Sequence, residues 1–316
     1  MFALRGIAVS LAVFAIVYCT LSLAVCLSWT RIQTWVRRQP VNRIAHLSFS
    51  LRIFPLVTAA LITAVFTIPS FLLLEPRAID EPVGGVPLTL GLCGLAIGVF
   101  GAANVFLAIR TASRTISAWT RGAQSVPSTA PVPVLRILRP VPPMSAVGIV
   151  RPRILLSSAA ESVLAAGELQ IALNHEMAHI RRRDNLKKLL LRFVCFTGMR
   201  GLEMAWLEAI EMAADDAAVS SPTEALDLAA TLIKLSRLGP IEAPVDLSAA
   251  LVHSPASIMN TRVERLIAWS QRRQDPSQGL SLRYGVLSIC TAAVLAAVTY
   301  SQLLARMHEA TEWLVR

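Results

Sequence analysis

Charged residues are scarce in this chain. They make up 16% of its 316 residues, whereas soluble domains carry about 25%. Hydrophobic residues reach 54%, above the usual value of about 45–50%. An intrinsically disordered chain is excluded, because disorder requires low hydrophobicity. The excess of apolar residues indicates that much of the surface faces something other than water.

Cysteine is also sparse and follows no ligand or disulfide pattern. The five cysteines stand at irregular spacing in apolar runs, and no Cys-x-x-Cys pair occurs. We therefore expect neither a thiolate zinc site nor a disulfide framework. The formal net charge is +10, but no Lys/Arg tract is interleaved with aromatic residues. Direct binding to nucleic acid is not expected, and the basic residues indicate membrane topology instead.

Long uncharged runs are what the sequence has in abundance. Four of them, at 6–29, 54–74, 87–109 and 284–305, reach the ~20 residues that a helix needs to cross a bilayer. The segment 30–53 carries five arginines and no acid. Because an excess of Lys and Arg marks cytoplasmic loops, this segment is assigned to the cytoplasm and both termini to the outside.

The predicted spans divide the chain into four parts. Residues 1–109 are expected to form three transmembrane helices with short loops, and 284–305 a fourth transmembrane helix. Residues 110–283 are the one polar segment of domain size, and the orientation places them in the cytoplasm. Residues 306–316 are then a short extracytoplasmic tail. The expected fold class is a multi-pass α-helical membrane protein with an inserted, mainly α (α+β) domain.

The strongest chemical signal is a His-Glu-Met-Ala-His run. His175 and His179 are four residues apart, so on a helix they share a face and can reach one metal ion. Glu176 is the next residue after His175 and is rotated from it by about 100° around the helix axis. In that position its carboxylate can hold a metal-bound water. This pattern predicts a zincin-like metallopeptidase domain. The alternative is a pair of histidines on a helix surface.

A catalytic zinc site needs a third protein ligand and an open position for water. Glu211 is the candidate ligand, on a helix predicted for 202–219. Asp215, one helical turn later, could accept the spare N–H of a ligand histidine and so fix its tautomer. An acid pair on a helix is also typical of a solvated face. Other nearby acids remain alternatives to Glu211; they are Glu203, Glu208 and Asp216.

These motifs resemble a known family. HEMAHIRRRDN at 175–185, followed by EMAADDAA at 211–218, is similar to the BlaR/MecR-type membrane zinc metallopeptidases, which are gluzincin-like. The stretch GIVRPRILLS at 148–157 resembles the strand before the motif helix in that family. The layout of three spans, a cytoplasmic peptidase segment and a fourth span is also similar, so the resemblance covers nearly the whole chain.

The resemblance implies a Zn²⁺ cofactor held by His175, His179 and Glu211, with Glu176 as catalytic acid/base. It implies a location in the bacterial plasma membrane and a transcriptional repressor, with a winged-helix domain, as the protein substrate. The beta-lactam receptors of the family continue into an extracellular penicillin-binding sensor, and this chain stops at Arg316. We therefore expect the signal to arrive through a sensor partner protein or through the spans in the lipid bilayer.

Zinc chemistry assigns further roles. A zinc ion with such ligands lowers the pKa of a bound water to roughly 7. Glu176 would take the proton and pass it to the leaving amine. His253 and Arg262 are candidates for stabilising the oxyanion; the alternative is that they are a loop histidine and a helix-surface arginine. Ile149, Val150 and Ile154 are candidate substrate-binding residues.

That last assignment depends on a predicted edge strand at 149–156. The segment is rich in β-branched residues and contains Pro152, which has no N–H to donate to a central ladder. A strand at a sheet edge can bind a substrate segment through main-chain hydrogen bonds.

We also expect Asp184 to cap the helix that follows the motif helix.

Three functions are compatible with these sequence features. The leading one is a membrane-embedded zinc endopeptidase that cleaves a cytoplasmic or membrane-proximal protein in signalling. The second is a metal-binding membrane signal transducer without proteolysis. The third is a quality-control protease for membrane proteins. The oligomeric state and the activating signal cannot be read from the sequence.

Overall fold

A computed structural model describes most of the chain, and the chain divides into two compact units. The apolar unit consists of Met1–Leu27, Ile53–Phe100 and Gln274–Arg316, and the helix–sheet unit of Ser28–Arg52 and Gly101–Arg273. The described residues are 2–76, 84–128, 130–138, 143–194, 196–238, 249–250, 256–271 and 300–313.

In the part of the chain that the structure describes, three helices are long and apolar enough to cross a membrane. The first is α1 (Phe2–Val36). The second combines α2 (Val41–Ile62), a π-helical turn and α3 (Ile68–Leu74), and the third is α4 (Gly85–Trp119). The first three predicted spans lie within them, so the structure is consistent with a helical membrane protein. Its orientation in a bilayer stays a prediction.

Two expectations about these helices need adjustment. The segment 30–53 is mostly helical rather than a loop, because α1 and α2 continue on either side of a short turn. An α-helix satisfies its own backbone hydrogen bonds, so it can extend beyond an apolar run without leaving backbone groups unpaired. The predicted fourth span at 284–305 lies largely outside the described residues; residues 300–313 are helical.

Small residues bring two helices of the apolar unit together. A Cβ atom added at Gly91 or Gly94 of α4 would overlap the main-chain carbonyls of Ala8 and Leu11 on α1. Glycine at an interface lets helix backbones approach closely, which is how helices gain packing energy where no water is displaced. Helices α1 and α4 therefore pack closely at Gly91 and Gly94.

The helix–sheet unit contains a mixed sheet. The strand order is β1-β2-β4-β3-β5. β2 runs parallel to β4, and the other pairs are antiparallel. The strands are β1 (Gln124–Val126), β2 (Val134–Ile137), β3 (Met144–Val147), β4 (Arg153–Ser157) and β5 (Ala249–Ala250).

The predicted edge strand at 149–156 is wrong. β4 is paired with β2 on one side and with β3 on the other, so it is an inner strand. Pro152 precedes β4 and removes no ladder hydrogen bond. Ile154 is fully buried, so its main chain is not open to an added strand. Ile149 and Val150 lie in the turn between β3 and β4 instead.

Among the described residues of this unit, six helices lie between β4 and β5 or after β5 in the sequence. Local signals set several boundaries: the Ser157 hydroxyl accepts the N–H of Ala160, and the Ser221 hydroxyl accepts that of Glu224, as N-cap residues do. The helices are α5 (Ser158–Val163), α6 (Ala166–Arg181), α7 (Asp184–Phe193), α8 (Arg200–Ala218), α9 (Pro222–Ser236) and α10 (Ala256–Gln271).

Helix α6 is the central element of this unit. It packs against β3, α8 and α9. Apolar side chains on α6, α9, β3 and β4 form one core, which includes Met144, Ile154, Leu173, Leu228 and Leu232. Because α6 is enclosed on several sides, the polar residues in its sequence are held in the interior, where they need partners.

Candidate metal centre

Three predicted ligands come together between α6 and α8. The Nε2 atoms of His175 and His179 lie 3.2 Å apart. The carboxylate of Glu211 places Oε2 3.7 Å from His175 Nε2 and Oε1 3.7 Å from His179 Nε2. Atoms that surround one zinc ion tetrahedrally lie ~3.3–3.6 Å from each other. The three residues could therefore hold a metal ion.

The two histidines are interior residues. His175 is 0% exposed and His179 is 2% exposed. The alternative of two histidines on a helix surface is therefore wrong. The helical spacing places both rings on one side of α6, and α8 covers that side with its own carboxylates.

A buried aspartate supports each histidine. His175 Nδ1 lies 3.0 Å from Asp215 Oδ1, and His179 Nδ1 lies 2.9 Å from Asp184 Oδ2. A carboxylate that accepts the outer N–H of a ligand histidine fixes its tautomer and orients the ring. Asp215 is where the sequence predicted it.

Asp184 was predicted only as a helix cap, so its contact with His179 was missed. Arg183 adopts a left-handed conformation with φ of 53°, which turns the chain sharply between α6 and α7. That turn brings Asp184 back to the second histidine. The sequence does show an acid five positions after His179. It gives no sign of a left-handed residue at position 183, because residues other than glycine rarely adopt that conformation.

Arg262 on α10 contacts two carboxylates of the site, those of Asp215 and Glu211. Its Nε donates to Asp215 Oδ2 at 2.8 Å and its Nη2 donates to Asp215 Oδ1 at 2.7 Å. Its Nη1 lies 3.3 Å from Glu211 Oε2. The side chain is fully buried, so the alternative of a helix-surface arginine is wrong. Its guanidinium contacts the carboxylates of both Asp215 and Glu211, and its suggested contact with the oxyanion stays a prediction.

The rival acids are engaged elsewhere or lie apart from the triad. Asp216 accepts from Arg265 Nη2 at 2.6 Å. Glu203 lies 3.7 Å from Arg52 Nη2. Among the described acids of α8, the carboxylate of Glu211 is the one placed within reach of both imidazoles.

Glu176 is completely buried beside the triad. Its Oε2 accepts the main-chain N–H of Ala146 on β3 at 2.6 Å. Its Oε1 has no hydrogen-bond partner among the described residues. Burial raises the pKa of this carboxyl above its ordinary value, because the charged form is poorly solvated. A carboxylate with a raised pKa and an unused oxygen can accept a proton from a nearby group.

Asn185 holds the strand that binds the Glu176 carboxylate, a contact that sequence reasoning missed. Its Nδ2 donates to the carbonyl of Ala146 at 3.1 Å and to that of Gly148 at 3.3 Å. β3 is thus held against the turn that follows α6. This places the Ala146 N–H where Glu176 needs it.

Charges in the site are strongly coupled. Burial by itself lowers the pKa of His175, but the Asp215 and Glu211 carboxylates outweigh it and raise that pKa to about 9. Burial would raise the pKa of Glu211, yet the nearby histidines and Arg262 lower it to about 2. The pKa of Asp215 is lowered too, chiefly by Arg262 against the effect of burial. Glu211 and Asp215 are therefore ionised at neutral pH.

Comparison with known proteins adds no family assignment. No protein-family model matches the chain, and no curated protein matches it significantly. The resemblance to the BlaR/MecR-type metallopeptidases therefore stays a prediction.

His253, the other oxyanion candidate, lies outside the described residues.

Proposed function

We propose that this protein is a zinc-dependent endopeptidase of a bacterial plasma membrane, anchored by several transmembrane helices. The observation that carries this proposal is the convergence of His175, His179 and Glu211 beside the buried carboxyl of Glu176. A purely structural zinc site has no need for that fourth group, whereas metal-assisted hydrolysis needs a general acid/base.

The roles of the residues follow from their contacts. His175, His179 and Glu211 would hold Zn²⁺, which when bound supplies Lewis acidity and an acidic water. Asp215 and Asp184 orient the two imidazoles. This support keeps the ligands in place before a substrate arrives, so no reorganisation is needed.

Glu176 would act as the proton carrier. Its Oε2 is fixed by the N–H of Ala146, which leaves Oε1 to take a proton from water. The same oxygen would then deliver the proton to the amine that leaves when the peptide bond breaks. A raised pKa favours both steps, because the group must accept and release one proton in each cycle.

The substrate class is a polypeptide that is cytoplasmic or close to the membrane. By resemblance, a transcriptional repressor is the proposed target, and a broad set of misfolded membrane proteins is the alternative. The two substrate proposals differ in the number of proteins that are cleaved. We expect one cleaved protein in cells under the first proposal and many under the second.

The test uses the full-length protein in detergent and in its own cells. Glu176→Gln is expected to keep bound zinc and to lower proteolysis by about 10²–10⁴-fold, the usual size of general acid–base catalysis. Glu208→Gln is the matched control on α8, and it should retain both zinc and activity. Crosslinking in cells that carry Glu176→Gln should then trap the substrate.

Two outcomes would contradict the proposal. Full proteolysis in Glu176→Gln would remove Glu176 from the mechanism. A wild-type protein that binds zinc and signals normally, with signalling unchanged in Glu176→Gln and no cleaved protein in cells, would favour the non-proteolytic transducer.

A further inference from the structure

A second group of metal-binding side chains lies in the apolar unit. Glu75 follows α3 directly, and His308 and Glu312 lie one turn apart on the helix at 300–313. One ligand atom from each of the three lies within 4.8 Å of the others. The described part of the chain contains two such groups, and this one shares no residue with the first.

The spacing within this group is slightly wider than that of ligands around one ion. His308 Nδ1 lies 3.9 Å from Glu75 Oε2, which is too long for a hydrogen bond. Two ligand atoms that are each about 2.0–2.2 Å from a shared metal ion can be separated by nearly this distance. The Nδ1 atom is shielded from solvent and has no hydrogen-bond partner among the described residues. A ring nitrogen in this position needs a cation or a water to satisfy it.

The carboxylate of Glu75 is also shielded, with 6% of its side chain exposed. Arg5 of α1 places Nη1 2.9 Å from Glu75 Oε1 and Nη2 3.8 Å from Glu312 Oε1. The guanidinium balances one of the two carboxylate charges. The two carboxylates therefore carry one negative charge more than the guanidinium balances, which favours a divalent cation.

We propose that Glu75, His308 and Glu312 form a second metal site, for a divalent transition metal of the zinc class. One imidazole nitrogen with two carboxylates suits Zn²⁺, Co²⁺ or Ni²⁺ better than Mg²⁺ or Ca²⁺, which prefer oxygen ligands alone. A bound ion links the helix at 300–313 to the end of α3. The orientation predicted from the loop charges assigns this site to the extracytoplasmic side.

The experiment counts metal ions on the purified full-length protein in detergent, after removal of metal by a chelator. Titration with Zn²⁺, and with Co²⁺ read by its visible absorption, should give two ions per chain for the wild type. His308→Ala should give one. The double variant His175→Ala/His179→Ala should also give one. Its Co²⁺ spectrum should differ from that of His308→Ala, because the site left in the double variant has one nitrogen ligand and the site left in His308→Ala has two.

Controls keep the result interpretable. Glu309→Gln changes an exposed acid on the same helix and should leave two ions bound. If the double histidine variant does not fold, Glu176→Gln combined with His308→Ala replaces it, and the count should fall from two to one. The proposal is overturned if His308→Ala binds as much metal as the wild type, or if His308→Ala only lowers the melting temperature. Those results would make the group an ion-pair network around a protonated His308.

This count does not depend on proteolysis. A protein without peptidase activity can still bind two ions, and a peptidase can bind only one, so the two proposals fail separately.

Discussion

The two candidate metal sites are built on the same plan but differ in their surroundings. Each takes two ligands from one helix, four residues apart, and a third from another element. In the helix–sheet unit the pair is His175 and His179, and in the apolar unit it is His308 and Glu312. The first site lies in a packed core, whereas the second lies at the ends of helices.

The difference is in the groups that hold the ligands. Each histidine of the first site contacts a buried aspartate, and Arg262 clamps one of these aspartates. In the second site Arg5 contacts the ligand carboxylates directly. A ligand that is already oriented loses less entropy on binding a metal. We therefore expect the first site to bind zinc more tightly, and this expectation can be tested by removing its supports.

The largest effect is expected from Arg262→Met. This substitution leaves the buried carboxylate of Asp215 without its bidentate partner, which costs about 3–5 kcal/mol when a buried ion pair is broken on one side. Chemical or thermal unfolding of the metal-free protein in detergent measures the loss. The control is Arg265→Met, three residues along the same helix, whose partner Asp216 is partly exposed; it should cost no more than about 1 kcal/mol. Equal losses in the two variants would contradict the importance given to the buried clamp.

A smaller effect is expected from Asp184→Asn. The amide can still orient His179, but it cannot raise the basicity of the ring as a carboxylate does. Loss of such an outer partner typically weakens metal binding by about 10–100-fold. Competition with a zinc chelator measures the dissociation constant, and Asp216→Asn should leave it unchanged. An unchanged constant in Asp184→Asn would mean that α6 alone orients the imidazole.

The smallest effect, when counted for each pH unit, is a pH dependence of metal affinity in the first site. His175 has its pKa raised to about 9 in the metal-free protein, so its ring is protonated at neutral pH and must lose that proton to bind a metal. Below this pKa one proton is released per ion at this residue, and the affinity should rise by about tenfold per pH unit between about pH 6 and 8. Chelator competition across this range checks the sign. A constant affinity would show that His175 is already neutral.

Patterns within one element were predictable from the sequence. The apolar runs predicted helices that could span a membrane, and the spacing of His175 and His179 predicted a shared face on one helix. The third ligand was less certain, because several acids of α8 were alternatives. The structure places the Glu211 carboxylate 3.7 Å from both imidazoles, and its role as a ligand stays a prediction.

Features that join distant segments were not predictable. β4 was expected at a sheet edge, because a proline stands in front of it and the pairing of β2 and β3 on both sides has no local signal. Asn185 holds β3 through two carbonyls, a contact that depends on the turn after α6. The group of Glu75, His308 and Glu312 joins residues far apart in the chain, so no spacing rule could find it.

The sequence alone determined the periodic elements and the chemistry that each can carry, since helical period and hydropathy act over a few neighbouring residues. Tertiary structure alone decided which carboxylates face which imidazoles, because only the packing of α6 against α8 and β3, and of α10 against α8, brings those groups within bonding distance. Buried polar groups must find partners across the core, and the identity of those partners depends on how the helices pack.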